Sequence, residues 1–350
     1  MSLWNAASGP SIHAELIGRE WVKMGHTLRV FAPIEHPDSR PVDQKDEDFV
    51  IRHYIVKKVK PYTREEFFDP VPVLDYEMDI FMAENLERLP LLGLKEIFPK
   101  IKQKAKTVLM IHEGDPPKDP MFYSFDFDAI VCMDERYKKW LKKYFPENKI
   151  HIIPHPAHPW KTGNKIEKRK KLNLPLNKKI ILTYGWRHEY IEPILEPLKK
   201  LSEKYPLMFL IIASPAKDVF PLLRLKDIYN FVEIRIDAPG IDKLYDYLHA
   251  CDILLFYRKN LPYSSVISSS VYLTLGSGIP VVFSDINMVE KNGKEVLKYK
   301  TPEEMLNIIE KIFVEGYDVQ YAKSFVEKYS SEKIASKFID LFKKLIKKEA

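Results

Sequence analysis

Four short stretches carry the side chains in this sequence whose types and spacing could do chemistry. In "TVLMIHEGDPP" (107–117) an apolar run ends in His112, Glu113 and Asp115. The carboxyl ends of strands in open α/β sheets line the ligand crevice, so His112 and Glu113 are the candidate catalytic pair. A histidine that only hydrogen-bonds the fold is the competing reading. In "SGPSIHAELIGREWVKMGHTLRVFAP" (8–33) a tight turn at Gly9 opens a helix with Pro10 in its first turn, followed by a stop at Gly25 and a strand. Gly9 lets the backbone approach a ligand, and free N–H groups at a helix start favour a phosphate, although a Gly turn is also ordinary loop chemistry.

The third stretch, "KIILTYGWRHEYIEPILEPLKKL" (179–201), is a strand ending at Gly185, then Arg187 and a helix. Arginine can clamp a diphosphate with two parallel hydrogen bonds, and the plain alternative is an exposed loop arginine. The fourth, "PYSSVISSSVYLTLGSGIPVVFSD" (262–285), crowds Ser264, Ser265, Ser268, Ser269 and Ser270 at the head of a helix that looks buried. Ser264 or Ser265 can cap that helix, a contribution of about 1 kcal/mol. Ser264, Ser265 and Ser268 are then candidates for hydrogen bonds to an anion at the helix start, against a packing role for small side chains.

Several familiar sites are absent from the sequence. No G-x-G-x-x-G or G-x-x-x-x-G-K-[ST] occurs, and "HEYIE" lacks the second histidine of a zinc protease helix. His155 and His158 in "PHPAHPW" are separated by prolines and have no adjacent carboxylate, so no metal site is expected there. Cys132 and Cys251 are the two cysteines, without a C-x-x-C partner, and read as buried thiols.

These residues are positioned by an alternation of apolar runs and helices along the whole chain. Strands are expected at 28–33, 79–84, 107–113, 128–133, 150–154, 179–185, 207–214, 231–236, 252–257 and 279–284, with helices including 11–24, 135–145, 190–204 and 241–250. Near-continuous apolar strands with crossover helices make parallel sheets covered on both faces, so the fold class is α/β with two Rossmann-like domains facing across a cleft. "MSLWN" reads as the tail of a first strand whose opening residues are absent, so that strand is very short or the start lies upstream. Residues 36–76 are Pro-rich and give no ordered pattern, and the Pro-, Gly- and Lys-rich stretch 154–179 reads as a linker. Apolar residues at 334, 338, 341, 342 and 345 make the end of the chain an amphipathic helix. The expected domains are 1–155, 156–324 and a C-terminal helix, 325–350, crossing back to the first.

A length of 350 residues suits two domains, and 45% hydrophobic with 30% charged residues excludes a disordered or fibrous chain. The first 25 residues lack a signal-peptide pattern and no apolar run could span a bilayer, which places the protein in the cytoplasm. A net charge of +6 is interspersed along the chain, so no nucleic-acid partner is expected. Abundant Lys and Glu with few Cys also fit a thermophile. "RHYIVKKVKPYTR" (52–64) and the basic C-terminal helix offer peripheral contact with the inner membrane surface, against a merely solvated face.

Together the four stretches resemble the retaining glycosyltransferases of GT-B architecture, family 4 type, over most of the chain. "SGPSIHAELIGREWVKMGH" resembles that family's N-terminal Gly-Gly loop and helix. "DAIVCMDERYKKWLKKYFPENKIHIIPHP" is similar to the stretch closing its first domain, with Pro154, His155 and Pro156 where Pro-Asn-Gly is usual. "LYDYLHACDILLFY" and "LGSGIPVVFSD" look like its donor-binding region. The resemblance implies a nucleotide sugar (UDP-, GDP- or ADP-linked) held by the C-terminal lobe, a carbohydrate or lipid-linked acceptor held mainly by the N-terminal lobe, and no required metal or other cofactor. It puts Gly9, Gly185 and Arg187 near the donor diphosphate and His112 near the donor sugar, with the leaving diphosphate helping to deprotonate the acceptor. The family's paired glutamates fall at Ser265 and Leu273, and its lysine after the arginine is replaced within Glu189, Tyr190, Ile191 and Glu192. The implied function is transfer of a hexose with retention of configuration. The alternative is a non-catalytic GT-B protein that binds sugar nucleotides or glycans as a partner subunit.

Overall fold

The computed structural model describes residues 1–35, 42–59, 62–185, 191–215 and 219–347, and the chain separates into two compact units. The first comprises Met1–Pro156, Tyr263–Ser269 and Tyr329–Ala350; the second comprises Ala157–Pro262 and Ser270–Lys328. The stretch Tyr263–Ser269 thus belongs to the first unit, although the chain on either side of it belongs to the second.

Among the described residues the first unit carries seven strands. Strands β1 (Val30–Glu35), β2 (Val50–Val59) and β3 (Tyr62–Phe68) form one sheet in that order, β1 parallel and β3 antiparallel to β2. Strands β4 (Ile80–Glu84), β5 (Lys106–Met110), β6 (Ala129–Cys132) and β7 (Ile150–Ile152) form a wholly parallel sheet in chain order. β5 and β6, "KTVLM" and "AIVC", are buried almost throughout, as expected of strands paired on both edges. Helices α1 (Gly9–Lys23), α2 (Val71–Leu74), α3 (Leu91–Lys104) and α4 (Glu135–Leu141) connect the strands. β2 and β3 lie inside 36–76, where no order was expected. Their charged side chains hide a period-two pattern whose inward members, Tyr54 and Val56, are buried.

The second unit is built on one six-stranded parallel sheet. β8 (Lys179–Gly185), β9 (Leu207–Ala213), β10 (Val232–Ile236), β11 (Ile253–Phe256), β12 (Val281–Ser284) and β13 (Leu297–Tyr299) are ordered β10-β9-β8-β11-β12-β13. The chain builds outward from β8 through β9 and β10, then returns to β11 on the other side of β8. A topological switch point therefore lies between β8 and β11. α5 (Lys165–Lys171) occupies part of the expected linker, and α6 (Glu192–Lys204), α7 (Phe220–Leu223), α8 (Leu225–Ile228) and α9 (Ile241–Ala250) follow. α10 (Ser269–Thr274), α11 (Pro302–Glu315) and α12 (Gln320–Lys328) complete this part of the chain.

The expected C-terminal helix is two helices, α12 and α13 (Ser331–Lys347). α13 lies against α1 in the first unit, where Ile334, Phe338, Leu341 and Phe342 are buried and Trp21 Nε1 donates to Ala335 O at 3.1 Å. Its apolar face is therefore covered by protein, which leaves mainly its lysines for any surface contact. Among the described residues no helix is long and apolar enough to cross a membrane. Cys132 and Cys251 are both free and buried.

Candidate functional site

In the first unit, the carboxyl ends of β4 and β5 bring three residues from distant parts of the sequence into one buried network. Glu84, the last residue of β4, accepts from His13 Nδ1 of α1 at 3.0 Å and from His112 Nε2, two residues past β5, at 3.1 Å, both through Oε2. All three side chains are at most 5% exposed. Burial pushes the Glu84 carboxyl up, but the charge and hydrogen bonds of His13 and His112 outweigh it and hold the group down at about 2. Burial lowers His112 more than its bond to Glu84 raises it. Glu84 is thus an ionised carboxylate, and with His112 held neutral by burial and donating from Nε2, Nδ1 of His112 is the acceptor nitrogen.

His155 joins the same cluster, its ring 5.3 Å from that of His13, with Nδ1 donating to Pro156 O at 2.8 Å. Burial, then the neighbouring His13, drives it well below the usual imidazole value. His13, Glu84 and His112 also have the donor set of a divalent cation site, with their ligand atoms within 4.8 Å of one another.

Glu113 is 6% exposed and turns inward rather than beside His112. Its carboxylate accepts from the backbone N–H of His112 at 3.0 Å and of Glu87 at 3.3 Å. Burial, with a smaller push from the Glu87 charge, raises it to about 7. It ties down the turn after β4 and the end of β5.

The stretch after β5 meets the serine-rich segment within the same unit. A Cβ on Gly114 would stand 2.7 Å from Ser265 O and 2.8 Å from the Tyr263 side chain, so only glycine lets the two backbones approach this closely. Ser265 N donates to Gly114 O at 2.9 Å, and Ser264 donates to Asp115 Oδ1 through both N, at 2.8 Å, and Oγ, at 2.6 Å. Ser264 and Ser265 do not cap a helix, as the sequence led us to expect, because α10 starts only at Ser269. The residues before it are held out of the helix by their bonds to the β5 loop. Ser264 presents a hydroxyl already committed to a carboxylate, and Ser265 and Ser268 are 0% and 2% exposed. Gly9 opens α1 beneath the Ser8 cap, and a Cβ there would lie 3.2 Å from Ser269 Oγ.

In the second unit the site is the switch point. Gly185 ends β8 at φ +139°, a conformation only glycine adopts without strain, and a Cβ there would stand 3.2 Å from Arg258 Nη2. Arg258 follows β11 by two residues. Its backbone N donates to Ser284 Oγ at 2.9 Å and its carbonyl accepts from that hydroxyl at 2.8 Å, fastening the ends of β11 and β12. The half-buried guanidinium donates to the carbonyls of Tyr257 at 2.9 Å and Tyr184 at 3.3 Å. Arg187 lies outside the described residues.

The structure therefore places His112, Glu113, Gly9, Ser264, Ser265 and Ser268 in the first unit and Gly185 in the second. Sequence reasoning missed His13, Glu84 and Arg258. Arg258 had a signal, since it directly follows the apolar strand "DILLFY". Glu84 is the polar end of its strand in the same way, whereas His13 sits in mid-helix and had none.

No family model matches the sequence. Among solved structures, the chain is similar to sucrose-phosphate synthase from Thermosynechococcus elongatus, with 12% identity over 99% of this chain and 96% of that one and a TM-score of 0.65. A glycosyltransferase from Rickettsia africae aligns at 16% identity over 97% of this chain and 96% of its own, TM-score 0.64. The catalytic domain of starch synthase IV from Arabidopsis thaliana, bound to ADP and acarbose, aligns at 10% identity over 99% and 98%, TM-score 0.62. The chain has the α/β fold of the GT-B glycosyltransferases.

Proposed function

We propose that this protein is a glycosyltransferase that takes a hexose from a nucleotide sugar and passes it to a glycan, lipid-linked or small-molecule acceptor with retention of configuration. The observation that carries the reading is Arg258 beside Gly185 at the switch point of the second unit. A guanidinium next to a glycine at the carboxyl end of a parallel sheet suits a nucleoside diphosphate. Arg258 stabilises the charge that grows on the leaving diphosphate, the role the resemblance assigns to Arg187, and no metal is needed for it. His112, kept neutral by burial and oriented by Glu84, offers its Nδ1 to a sugar hydroxyl. The ADP held by starch synthase IV makes ADP one donor nucleotide to try beside UDP and GDP.

A second reading, a binding protein that partners an active transferase, is favoured by one observation. Ser265, where the family keeps a glutamate, is buried with no hydrogen-bond partner on its hydroxyl. Calorimetric titration with UDP, GDP and ADP, followed by hydrolysis assays with the matching donors, separates the two. Binding of none of the nucleotides removes the transferase reading, and binding without turnover on any acceptor supports the partner role.

A further inference from the structure

In the first unit the end of β3 and the first turns of α3 enclose a groove of about 390 Å³, with Glu65, Glu66, Phe67, Leu92, Glu96 and Ile97 in its lining. Its shape follows from an irregularity in the pairing of β2 with β3. Phe67 pairs with Ile55 and Glu65 with Val56, so Glu66 is an extra residue without a partner in β2, a bulge. The bulge turns Glu65 to the same side as Phe68, and both side chains reach α3. Pro90 offers no side-chain cap at the start of that helix. Glu65 takes the place from β3, accepting from Gly93 N through Oε1 at 3.1 Å and Oε2 at 3.0 Å. A Cβ on Gly93 would run into the Phe68 ring, so glycine is what lets strand and helix meet here.

Around this joint the fold leaves large apolar side chains uncovered. Phe67 is 48% exposed and Leu92 55%, and Val71, next to Pro70 at the end of the groove, is 55% exposed. The charge beside them is of one sign. From Glu65 to Asp79 the sequence "EEFFDPVPVLDYEMD" holds six carboxylates and no Lys, Arg or His, in a chain whose net charge is +6. Among the described residues the charged members of the lining are Glu65, Glu66 and Glu96. Glu65 is spent on α3, and Glu66 holds Lys57 Nζ at 3.1 Å with both groups exposed. Glu96, Asp75 and Glu77 stand exposed around them.

We propose that this groove docks a basic amphipathic helix of a partner protein. The partner's apolar side chains lie against Phe67, Val71 and Leu92, and its Lys or Arg side chains face the carboxylates of the rim. An apolar strip bordered by charge of one sign takes a helix whose two faces match it, the strip supplying affinity and the rim orientation and rate. An added strand fits less well, because the bulge at Glu66 interrupts the ladder along β3. A second copy of the chain does not supply the helix, since the apolar face of its basic amphipathic helix α13 is buried against α1. A nucleic acid or an anionic membrane surface would be repelled by the same carboxylates.

The test uses the 350-residue chain and a capped peptide made of two repeats of Lys-Leu-Leu-Lys-Lys-Leu-Leu, with the same peptide carrying Glu for every Lys as control. The expected result is saturable binding of the basic peptide alone, with NMR amide shifts confined to Glu65–Val71 and Leu91–Ile97. Two double variants probe the strip and the rim separately, Phe67→Ser with Leu92→Ser and Glu66→Lys with Glu96→Lys. Each should weaken binding about tenfold or more and leave the unfolding midpoint near that of the parent protein, since the altered side chains are exposed. Equal binding of the acidic peptide, an affinity unchanged in either variant, or shifts centred elsewhere overturns the proposal. So does absence of binding at peptide concentrations up to the millimolar range. Shifts of the same amides that grow with protein concentration and without peptide name a second copy of the chain as the occupant and also overturn it.

Discussion

The carboxyl end of β5 and the carboxyl ends of β8 and β11 all belong to parallel strands paired on both edges, and the two regions are built on opposite principles. The first is closed: Glu84 is a buried anion whose Oε2 accepts from both His13 and His112, and Glu113 is turned in on backbone amides. Among the described residues the second is built on a cation: Arg258 is partly exposed, its guanidinium rests on carbonyl oxygens, and Gly185 brings backbone close to it without a side chain. The lesson is a division of labour. A buried hydrogen-bonded network can hold one imidazole in one tautomer, while a cation beside backbone that carries no side chain is what an anionic ligand needs.

The largest effect should come from breaking the closed end. Glu84→Ala leaves two buried imidazole N–H groups without an acceptor, and the expected loss is ~3–5 kcal/mol of unfolding free energy, read from the denaturant midpoint. A loss under about 1 kcal/mol would mean that water already serves the network, and the contrast with the second region would fail.

Next is a pH effect of opposite sign for the two carboxyls. Glu113 is raised from 4.5 to about 7, so the folded protein keeps a proton that the unfolded chain releases. Its contribution is fully present below pH 4.5 and is lost as pH rises through 7. Glu113→Gln should therefore flatten the decline in stability over that window, by up to ~3 kcal/mol at its upper end. Glu84, held down at about 2, contributes above pH 4.5 and loses that contribution as pH falls toward 2. A stability profile of Glu113→Gln parallel to that of the parent protein from pH 5 to 8 would show that Glu113 titrates normally.

In the second region, Arg258→Ala should weaken nucleotide binding ~10–100-fold, the loss of one or two charge-assisted hydrogen bonds, while the unfolding midpoint barely moves. Unchanged affinity by calorimetry would move the diphosphate elsewhere. The smallest effect is expected of Ser265→Ala. Its hydroxyl is buried and unbonded, so the change should be neutral or stabilising by less than about 1 kcal/mol and leave nucleotide affinity intact. A tenfold loss of affinity would restore that serine to the donor site.

Much of the framework was legible because it depends on neighbours in sequence. "KIILTYG" is β8 with the expected bounds, 179–185, and α9 runs over the expected 241–250, since apolar period and caps are local properties. The exceptions have local reasons too. β2 and β3 were hidden because charged residues interrupt both "VIRHYIVKKV" and "YTREEFF". The serine-rich segment read as a helix start, but Gly114 and Asp115 offered its backbone and Ser264 partners outside a helix.

What the sequence determined by itself was therefore the class of fold, the succession of strands and helices, and His112 at the end of a buried strand. Which residues share a site was decided by the tertiary structure alone. Glu84 and His112 are 28 positions apart and His13 is 71 from Glu84; parallel pairing of β4 with β5 and the packing of α1 bring them together. Arg258 reaches Gly185 because β11 returns beside β8 after two strands have been laid on the other side. Local periodicity is written in every few residues, but strand order is set by long-range burial that no short stretch encodes.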